Sequence, residues 1–274
     1  MAASRTRGNV TEYLIIKGLL ELGYSACTTD GYTKTRLKAL SQGYAFDKEM
    51  SEKVGESLVC ILPESCSCSF SLVRDASGSS SSTSRTTSDI IVNVPNDPIN
   101  ISVKHNNLSL KHQKADKLWC QMKMCETKKE RFIKEYSGIC DKWHQGNNAT
   151  LWADVDDKRE LYDAVNALTI KTLTTCPKKD AFSYLDFILD LSTRNKYIIK
   201  CNILKKEVEV LQVCVPTSVL PTDLRISGNF IEMQLGPDVQ VRMRLHNCTT
   251  RVKKNLGLKY DTQIKGGLVR VIKL

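Results

Sequence analysis

Residues 88–104 constrain the fold more than any other stretch of this chain. They read Ser88-Asp89-Ile90-Ile91-Val92-Asn93-Val94-Pro95-Asn96-Asp97-Pro98-Ile99-Asn100-Ile101-Ser102-Val103-Lys104. Ile90, Val92 and Val94 alternate with Asp89, Ile91 and Asn93. Ile99, Ile101 and Val103 alternate with Asn100, Ser102 and Lys104. Both runs have the two-residue period of a β-strand. The segment Pro95-Asn96-Asp97-Pro98 between them is turn chemistry. A four-residue loop at 95–98 sets Val94 opposite Ile99, Val92 opposite Ile101 and Asp89 opposite Lys104. Opposed residues share a sheet face with Cβ atoms about 5 Å apart. The expectation is a hairpin with one apolar face and, at its open end, a carboxylate beside an ammonium.

Two readings of that pair stand open. A surface ion pair on a plain hairpin fits, and such pairs contribute only about 0–1 kcal/mol. A phosphodiester-cleaving site fits as well. Cleavage at neutral pH needs an activated water and a shield for charge developing on the phosphate. A carboxylate holding Mg²⁺ gives access to both, and a nearby lysine orients the water and steadies the transition state.

Composition narrows the partner. The net charge is +10 and the pI about 9.0, which suits a polyanion, nucleic acid before a membrane surface. A generic solvated basic surface has the same balance. No run approaches 18 apolar residues, so a membrane span is not expected. The N-terminal stretch is not read as a signal peptide, because Glu12, Lys17 and Glu21 follow directly. The 11 cysteines are scattered without a CxxC pair, and Cys66 and Cys68 stand too close for the usual zinc spacing. Buried free thiols in a reducing, intracellular compartment are expected. The four histidines form no zinc set, and an HNH-type nuclease is not expected.

Along the chain, residues 8–24 read as an amphipathic helix with Tyr13, Ile16 and Leu20 on one face and Gly23 as its stop. A second helical segment runs from Thr33 to Cys60. The serine-dominated stretch 65–88 reads as a loop. Residues 116–143 are helical and basic, helices follow at 156–173 and 179–191, and strands from 196 onward. A boundary near 145 would separate a core, 1–145, from a helical insertion and C-terminal strands, 146–274, packed on that core as one compact unit and adding recognition surface.

The aspartate at a strand start, followed by a hairpin ending in x-x-Lys, resembles the PD-(D/E)xK nucleases. The run Ile101-Ser102-Val103-Lys104-His105-Asn106-Asn107, with Lys111-His112 behind it, is similar to the core of HaeIII-type restriction endonucleases. Asp75-Ala76-Ser77-Gly78 matches a D-x-x-G placed before the aspartate. Arg244-Leu245-His246-Asn247-Cys248-Thr249-Thr250-Arg251-Val252 and Leu258-Lys259-Tyr260-Asp261 resemble the group's R-x-H-N-A-S-S-x-V and S-L-K-F-D signatures. The resemblance implies an α/β fold, a central mixed sheet flanked by helices, with a further helical and strand region toward the C-terminus. It also implies a Mg²⁺-dependent type II site-specific deoxyribonuclease with double-stranded DNA as partner. A cognate DNA methyltransferase is implied functionally, not as a bound partner. A palindromic target favours a homodimer, with a monomer nicking each strand in turn as the alternative.

The chain departs from the pattern where an acid is expected two residues before the lysine, because Ser102 stands there. Glu12, in Gly8-Asn9-Val10-Thr11-Glu12-Tyr13, resembles a helix-borne G-x-x-x-E-Y that completes such sites; Asp116 and Glu126 are alternatives, and a solvated first-turn glutamate is the plain reading of Glu12. Cys248 replaces the family's alanine, and Asn255-Leu256-Gly257 interrupts the approach to Leu258. The implied roles are Asp89 as metal ligand, Lys104 as helper of the attacking water, Glu12 as a second metal ligand, and the Val103 carbonyl as a third.

Beyond Lys104, the residues His105, Asn106, Asn107, Lys111, His112 and Gln113 form a dense set of donors suited to bases and phosphates. A second hairpin is expected where Ile231, Met233 and Leu235 match Val239, Val241, Met243 and Leu245 across Gly236-Pro237-Asp238. Its polar face carries Arg242, Arg244 and His246, continued by Asn247, Arg251 and Lys259. DNA contact is expected there; a charge-protected sheet edge is the alternative. The function expected is cutting at a short, G+C-containing palindrome. A repair or junction nuclease on the same core, and a basic DNA-binding protein without catalysis, are the competing readings.

Overall fold

A computed structural model describes residues 2–27, 35, 37–39, 48–63, 68–72, 88–95, 97–105, 111–189, 195–213, 221, 223–235, 237, 239–253, 256–266 and 269–272. The chain is mixed α/β and divides into two units, neither continuous in sequence. The first comprises Met1–Leu108, Thr193–Val215 and Leu268–Leu274; the second comprises Ser109–Ser192 and Pro216–Gly267. The expected boundary near 145 therefore falls inside the second unit. The reason is that the strand carrying Lys104 takes its next neighbour from residues near 200, a pairing invisible to local pattern. Among the described residues no helix is long and apolar enough to cross a membrane.

The first unit is built on a seven-stranded mixed sheet. Its helices are α1 (Ala2–Glu21) and α2 (Lys48–Val59). Its strands are β1 (Ser25–Ala26), β2 (Ser69–Leu72), β3 (Ile90–Asn93), β4 (Ile99–His105), β6 (Asn195–Asn202), β7 (Glu207–Val213) and β12 (Val269–Ile272), with β5 in the second unit. The order is β1-β2-β3-β4-β6-β7-β12. The strands β2, β3 and β4 form an antiparallel meander, whereas β4 and β6 run parallel. Strand β2 corrects the reading of 65–88 as loop throughout: Phe70 and Leu72 are buried, while Ser69 and Ser71 alternate with them. Residues 65–67 and 73–87 of the serine stretch, including Asp75 and Gly78, lie outside the described residues.

One face of this sheet carries Ile90, Val92, Ile99, Ile101, Ile199, Cys201 and Val210, and these share a core with Val10, Tyr13, Leu14, Ile16 and Leu19 of α1 and Met50, Val54 and Leu58 of α2. Helix α1 is not the surface helix its spacing suggested. From Asn9 to Leu19 every residue but Lys17 is buried, while Leu20, expected inside, is exposed. A helix apolar on most sides belongs in an interior. Gly23 ends it as expected: φ is +86°, its N–H bonds to the Leu20 carbonyl at 3.0 Å, and Tyr24 N–H bonds to Leu19 at 3.0 Å. That pair of bonds is a Schellman cap, which favours glycine. Gly18 sits where α1 meets α2, and a Cβ there would lie 2.7 Å from Leu58 Cδ1. Because Leu58 is itself fully buried, Gly18→Val should destabilise the first unit by about 1–3 kcal/mol. Urea unfolding checks this, and an unchanged midpoint would refute the close approach.

The second unit is an antiparallel five-stranded sheet with helices on one face. Its strands are β5 (Lys111–Lys114), β8 (Asp223–Ser227), β9 (Phe230–Gln234), β10 (Val239–Asn247) and β11 (Leu258–Gly266), in the order β5-β11-β10-β9-β8. Its helices are α3 (Leu118–Gln121), α4 (Glu126–Gln145), α5 (Arg159–Thr175) and α6 (Lys178–Leu189). The expected continuous helix over 116–143 is interrupted at Met122–Cys125, where Lys123 takes φ +53°. The β9–β10 hairpin has the expected register, Val241 opposite Met233 and Met243 opposite Ile231. Helix α5 packs on β8, β9 and β10, and α6 on β5.

Candidate active site

The hairpin of β3 and β4 forms with a register two residues from the expected one. Ile90 pairs with Ile101 and Val92 with Ile99, so residues 93–98 form the connection. Pro95 and Pro98 lack N–H donors, and the β3–β4 ladder ends at the pair Val92 and Ile99. A slip of two keeps parity, whereas a slip of one would have reversed the faces. Asp89 therefore stands level with Ser102 rather than Lys104, and Lys104 follows one step along the same face. The apolar set lies on the opposite, core-forming face, as expected.

The carboxylate is fixed by strand β4. Asp89 Oδ2 accepts the Val103 N–H at 2.8 Å and the Ser102 hydroxyl at 3.3 Å, while Asp89 N–H donates to the Ile101 carbonyl at 2.8 Å. Hydrogen bonds to a charged acceptor contribute about 1.5–3 kcal/mol each when buried. Asp89 is half-buried and Ser102 fully buried. Ser102 is thus a donor that orients Asp89. The contact of Val103 with Asp89 runs through its amide. Among the described residues, Asp89 Oδ1 has no hydrogen-bond partner, and Lys104 Nζ has neither an ion pair nor a hydrogen bond.

Neighbouring strands extend this face. Register places Lys200 beside Lys104 and Glu209 beside Lys200, and Lys200 Nζ meets Glu209 Oε2 at 2.8 Å. Neither residue was expected at the site, because the parallel β4–β6 pairing has no local signal. The acidic partner in this row serves Lys200, and the half-buried Lys104 ammonium has no ion pair among the described residues.

Glu12 is 4% exposed on α1, so the solvated-glutamate reading is excluded. A carboxylate this deep is costly unless paired or engaged. Asp116 and Glu126 belong to the second unit, in a 3-10 turn at Ala115–Lys117 and at the first residue of α4. Among the described residues no three His, Cys, Asp or Glu side chains converge in a group fit to hold a metal.

The expected DNA contacts divide. Gln113 is a correction: it is 1% exposed, and its amide donates to Thr262 Oγ1 at 2.9 Å and Tyr184 Oη at 3.2 Å inside the second unit. An amide so satisfied serves the core, in a region where Tyr260 also bonds Asn166 at 2.9 Å. His105 alternates to the other face from Lys104, and its Nδ1 meets the Cys201 carbonyl at 3.0 Å, which fixes that nitrogen as the protonated one. Lys111 and His112 lie in β5, paired with β11. Asn106 and Asn107 lie outside the described residues.

On the second sheet, Arg242, Arg244 and His246 do share a face, but each has an acidic partner. Arg242 Nε lies 2.7 Å from Glu232, Arg244 Nη2 lies 3.0 Å from Asp261, and His246 Nε2 lies 2.8 Å from Asp261. Asn247 holds a turn: its Oδ1 accepts Thr249 Oγ1 at 3.0 Å, and its Nδ2 donates to the Thr249 carbonyl at 2.9 Å. Arg244 and Arg251 are exposed, Lys259 half-buried. Glu232 and Asp261 went unrecognised as partners because their own strands place them; Asp261 appeared in the sequence only inside a family signature. No family model, no curated protein and no solved structure matches the chain.

Proposed function

We propose that the chain is a Mg²⁺-dependent, site-specific double-stranded DNA endonuclease whose chemistry lies at Asp89 and Lys104. One observation carries the reading. A carboxylate oriented by the Val103 amide and the Ser102 hydroxyl shares a sheet face with a half-buried lysine that has no ion pair among the described residues. A half-buried ammonium without a partner is unfavourable for stability alone, which points to a use in binding or catalysis. The mixed sheet with α1 against it supports a restriction-endonuclease-like core.

Asp89, through the Oδ1 that has no hydrogen-bond partner among the described residues, would hold the metal, with the Val103 carbonyl as a further donor in this proposal; Glu12 is carried by α1, which packs on the other face of the sheet, and is left out of this shell. Mg²⁺, when bound, supplies a more acidic water and charge neutralisation at the phosphate. Ser102 and the Val103 amide keep Asp89 in one orientation, so that no reorganisation is needed on substrate binding. Lys104 donates hydrogen bonds to the scissile phosphate and the attacking water, stabilising the charge that grows on the non-bridging oxygens. Arg244, Arg251 and Lys259 are proposed phosphate contacts on the second unit, with the +10 net charge favouring encounter.

The test is digestion of a sequenced plasmid with the purified chain and Mg²⁺. Discrete fragments, lost in excess EDTA, are expected. Fragments that persist in EDTA would remove the metal from the proposal. Cutting confined to branched or damaged duplexes would favour the repair or junction nuclease, and binding without cutting under all divalent ions would favour the non-catalytic reading.

A further inference from the structure

The turn that follows β10 carries a second chemical arrangement, distinct from the pair Asp89 and Lys104 although it shares Arg244 with the proposed phosphate contacts. Cys248 Sγ lies 3.9 Å from His246 Nδ1, and His246 Nε2 lies 2.8 Å from Asp261 Oδ1. Asp261 Oδ2 is in turn held by Arg244 at 3.0 Å. A carboxylate stabilised by an arginine is an acceptor, so Nε2 carries the imidazole proton. The lone pair of Nδ1 then faces the thiol. A nucleophile, a base and a group that orients the base stand in line.

The backbone holds this line still. Cys248 N–H donates to the Gly257 carbonyl at 2.9 Å, and Trp152 N–H to the Thr250 carbonyl at 2.9 Å. The Asn247 side chain closes the turn over Thr249. Gly257 packs so tightly beneath it that a Cβ would lie 2.9 Å from Thr249 Cγ2. Of the described cysteines, Cys27, Cys60, Cys120, Cys125 and Cys248 are exposed. Cys248 is the one among them for which a hydrogen-bonding imidazole is seen.

We infer that Cys248 is a reactive thiol, with His246 as its proton acceptor and Asp261 as the positioning residue, and that it undergoes exchange with low-molecular-weight disulfides. His246 Nδ1 takes the thiol proton. The thiolate attacks one sulfur of the small disulfide, the S–S bond breaks, and a mixed disulfide forms on Cys248. The departing thiolate recovers the proton from the imidazolium. Partial burial pushes the Cys248 thiol up, with Lys259 acting against that rise and Asp261 adding to it. The resting group is therefore a thiol, which makes a built-in base decisive for its rate.

The test is timed exposure of the full chain to hydroxyethyl disulfide at neutral pH, an uncharged probe indifferent to the surrounding cations, with peptide mapping by mass spectrometry. Cys248 is expected to react at least about ten-fold faster than Cys27, Cys60, Cys120 or Cys125. In His246→Gln and Asp261→Asn that advantage should fall to the level of the other exposed thiols. Continued protection of buried Cys68, Cys140 and Cys201 certifies the fold in the same digest. The wild-type ranking is decisive even where a variant fails to fold: equal rates at all exposed thiols overturn the inference. So does an advantage that survives His246→Gln in a folded chain.

Discussion

Lys104→Ala should abolish Mg²⁺-dependent cutting while leaving the chain folded and bound to DNA. Removing a positioned donor that stabilises transition-state charge costs roughly 10²–10³ in rate, or about 2.7–4 kcal/mol, where the site is dry and preorganised. That the fold should survive has a structural basis. Lys104 is half-buried and without an ion pair or hydrogen bond among the described residues, so its deletion breaks no observed contact. Its strand neighbours Ser102 and Ile101 are fully buried and hold β4 between β3 and β6. The folded chain should therefore lose at most a few tenths of a kcal/mol. One phosphate contact is lost out of several, so affinity should drop uniformly and weakly across sequences. Fragment yield against time gives the rate, a shift assay in Ca²⁺ gives binding, and urea unfolding gives stability. Should Lys104→Ala cut as fast as the parent, the ammonium is a surface charge and the proposed chemistry fails. Asp89→Asn provides the complement. The amide keeps the shape of the acceptor but withdraws the negative charge from the metal, and cutting should fall similarly.

Local signals were legible in the sequence, and long-range ones were not. The hairpin of β3 and β4 was legible because alternation and two prolines specify strands and a break within 17 residues. Its register was not, since nothing in Val94-Pro95-Asn96-Asp97-Pro98 states where the ladder stops. Parity survived, and parity is what sets Asp89 and Lys104 on one face. The β9–β10 hairpin was legible for the same reason, register included. Partners supplied from elsewhere in the chain were not. Strand β6 arrives about 90 residues after β4 and brings Lys200, itself tied to Glu209 on β7. Asp261 on β11 neutralises part of a row that in isolation looked like bare cations. Gln113 looked like a base-reading amide because its run is polar; strand pairing turns that amide inward onto Thr262. Composition misled once, when the density of serine from 65 onward hid the alternation of Phe70 and Leu72.

Ile101→Ala should produce the largest loss of stability among single changes at the hairpin, and it should do so without touching the chemistry. Ile101 is fully buried at the middle of β4, flanked by Ile90 on β3 and Tyr197 on β6, on the face that packs with α1. Truncation removes three carbons from a site closed on both sides by paired strands. Collapse around the void is restricted, and the cost should be about 2–5 kcal/mol. A domain of this size has only about 5–15 kcal/mol in total. The melting temperature should fall by roughly 5–15 °C. The backbone bond from Asp89 N–H to the Ile101 carbonyl does not involve the lost atoms, and the side chain points away from Lys104. Below the melting transition, cutting per folded molecule should therefore stay within a few-fold of the parent. Calorimetry and a plasmid assay at low temperature separate the two effects. A stable Ile101→Ala chain would contradict the core assignment of this strand face. A destabilised chain that also fails to cut when folded would mean that the two faces of β4 are coupled more closely than parity alone requires.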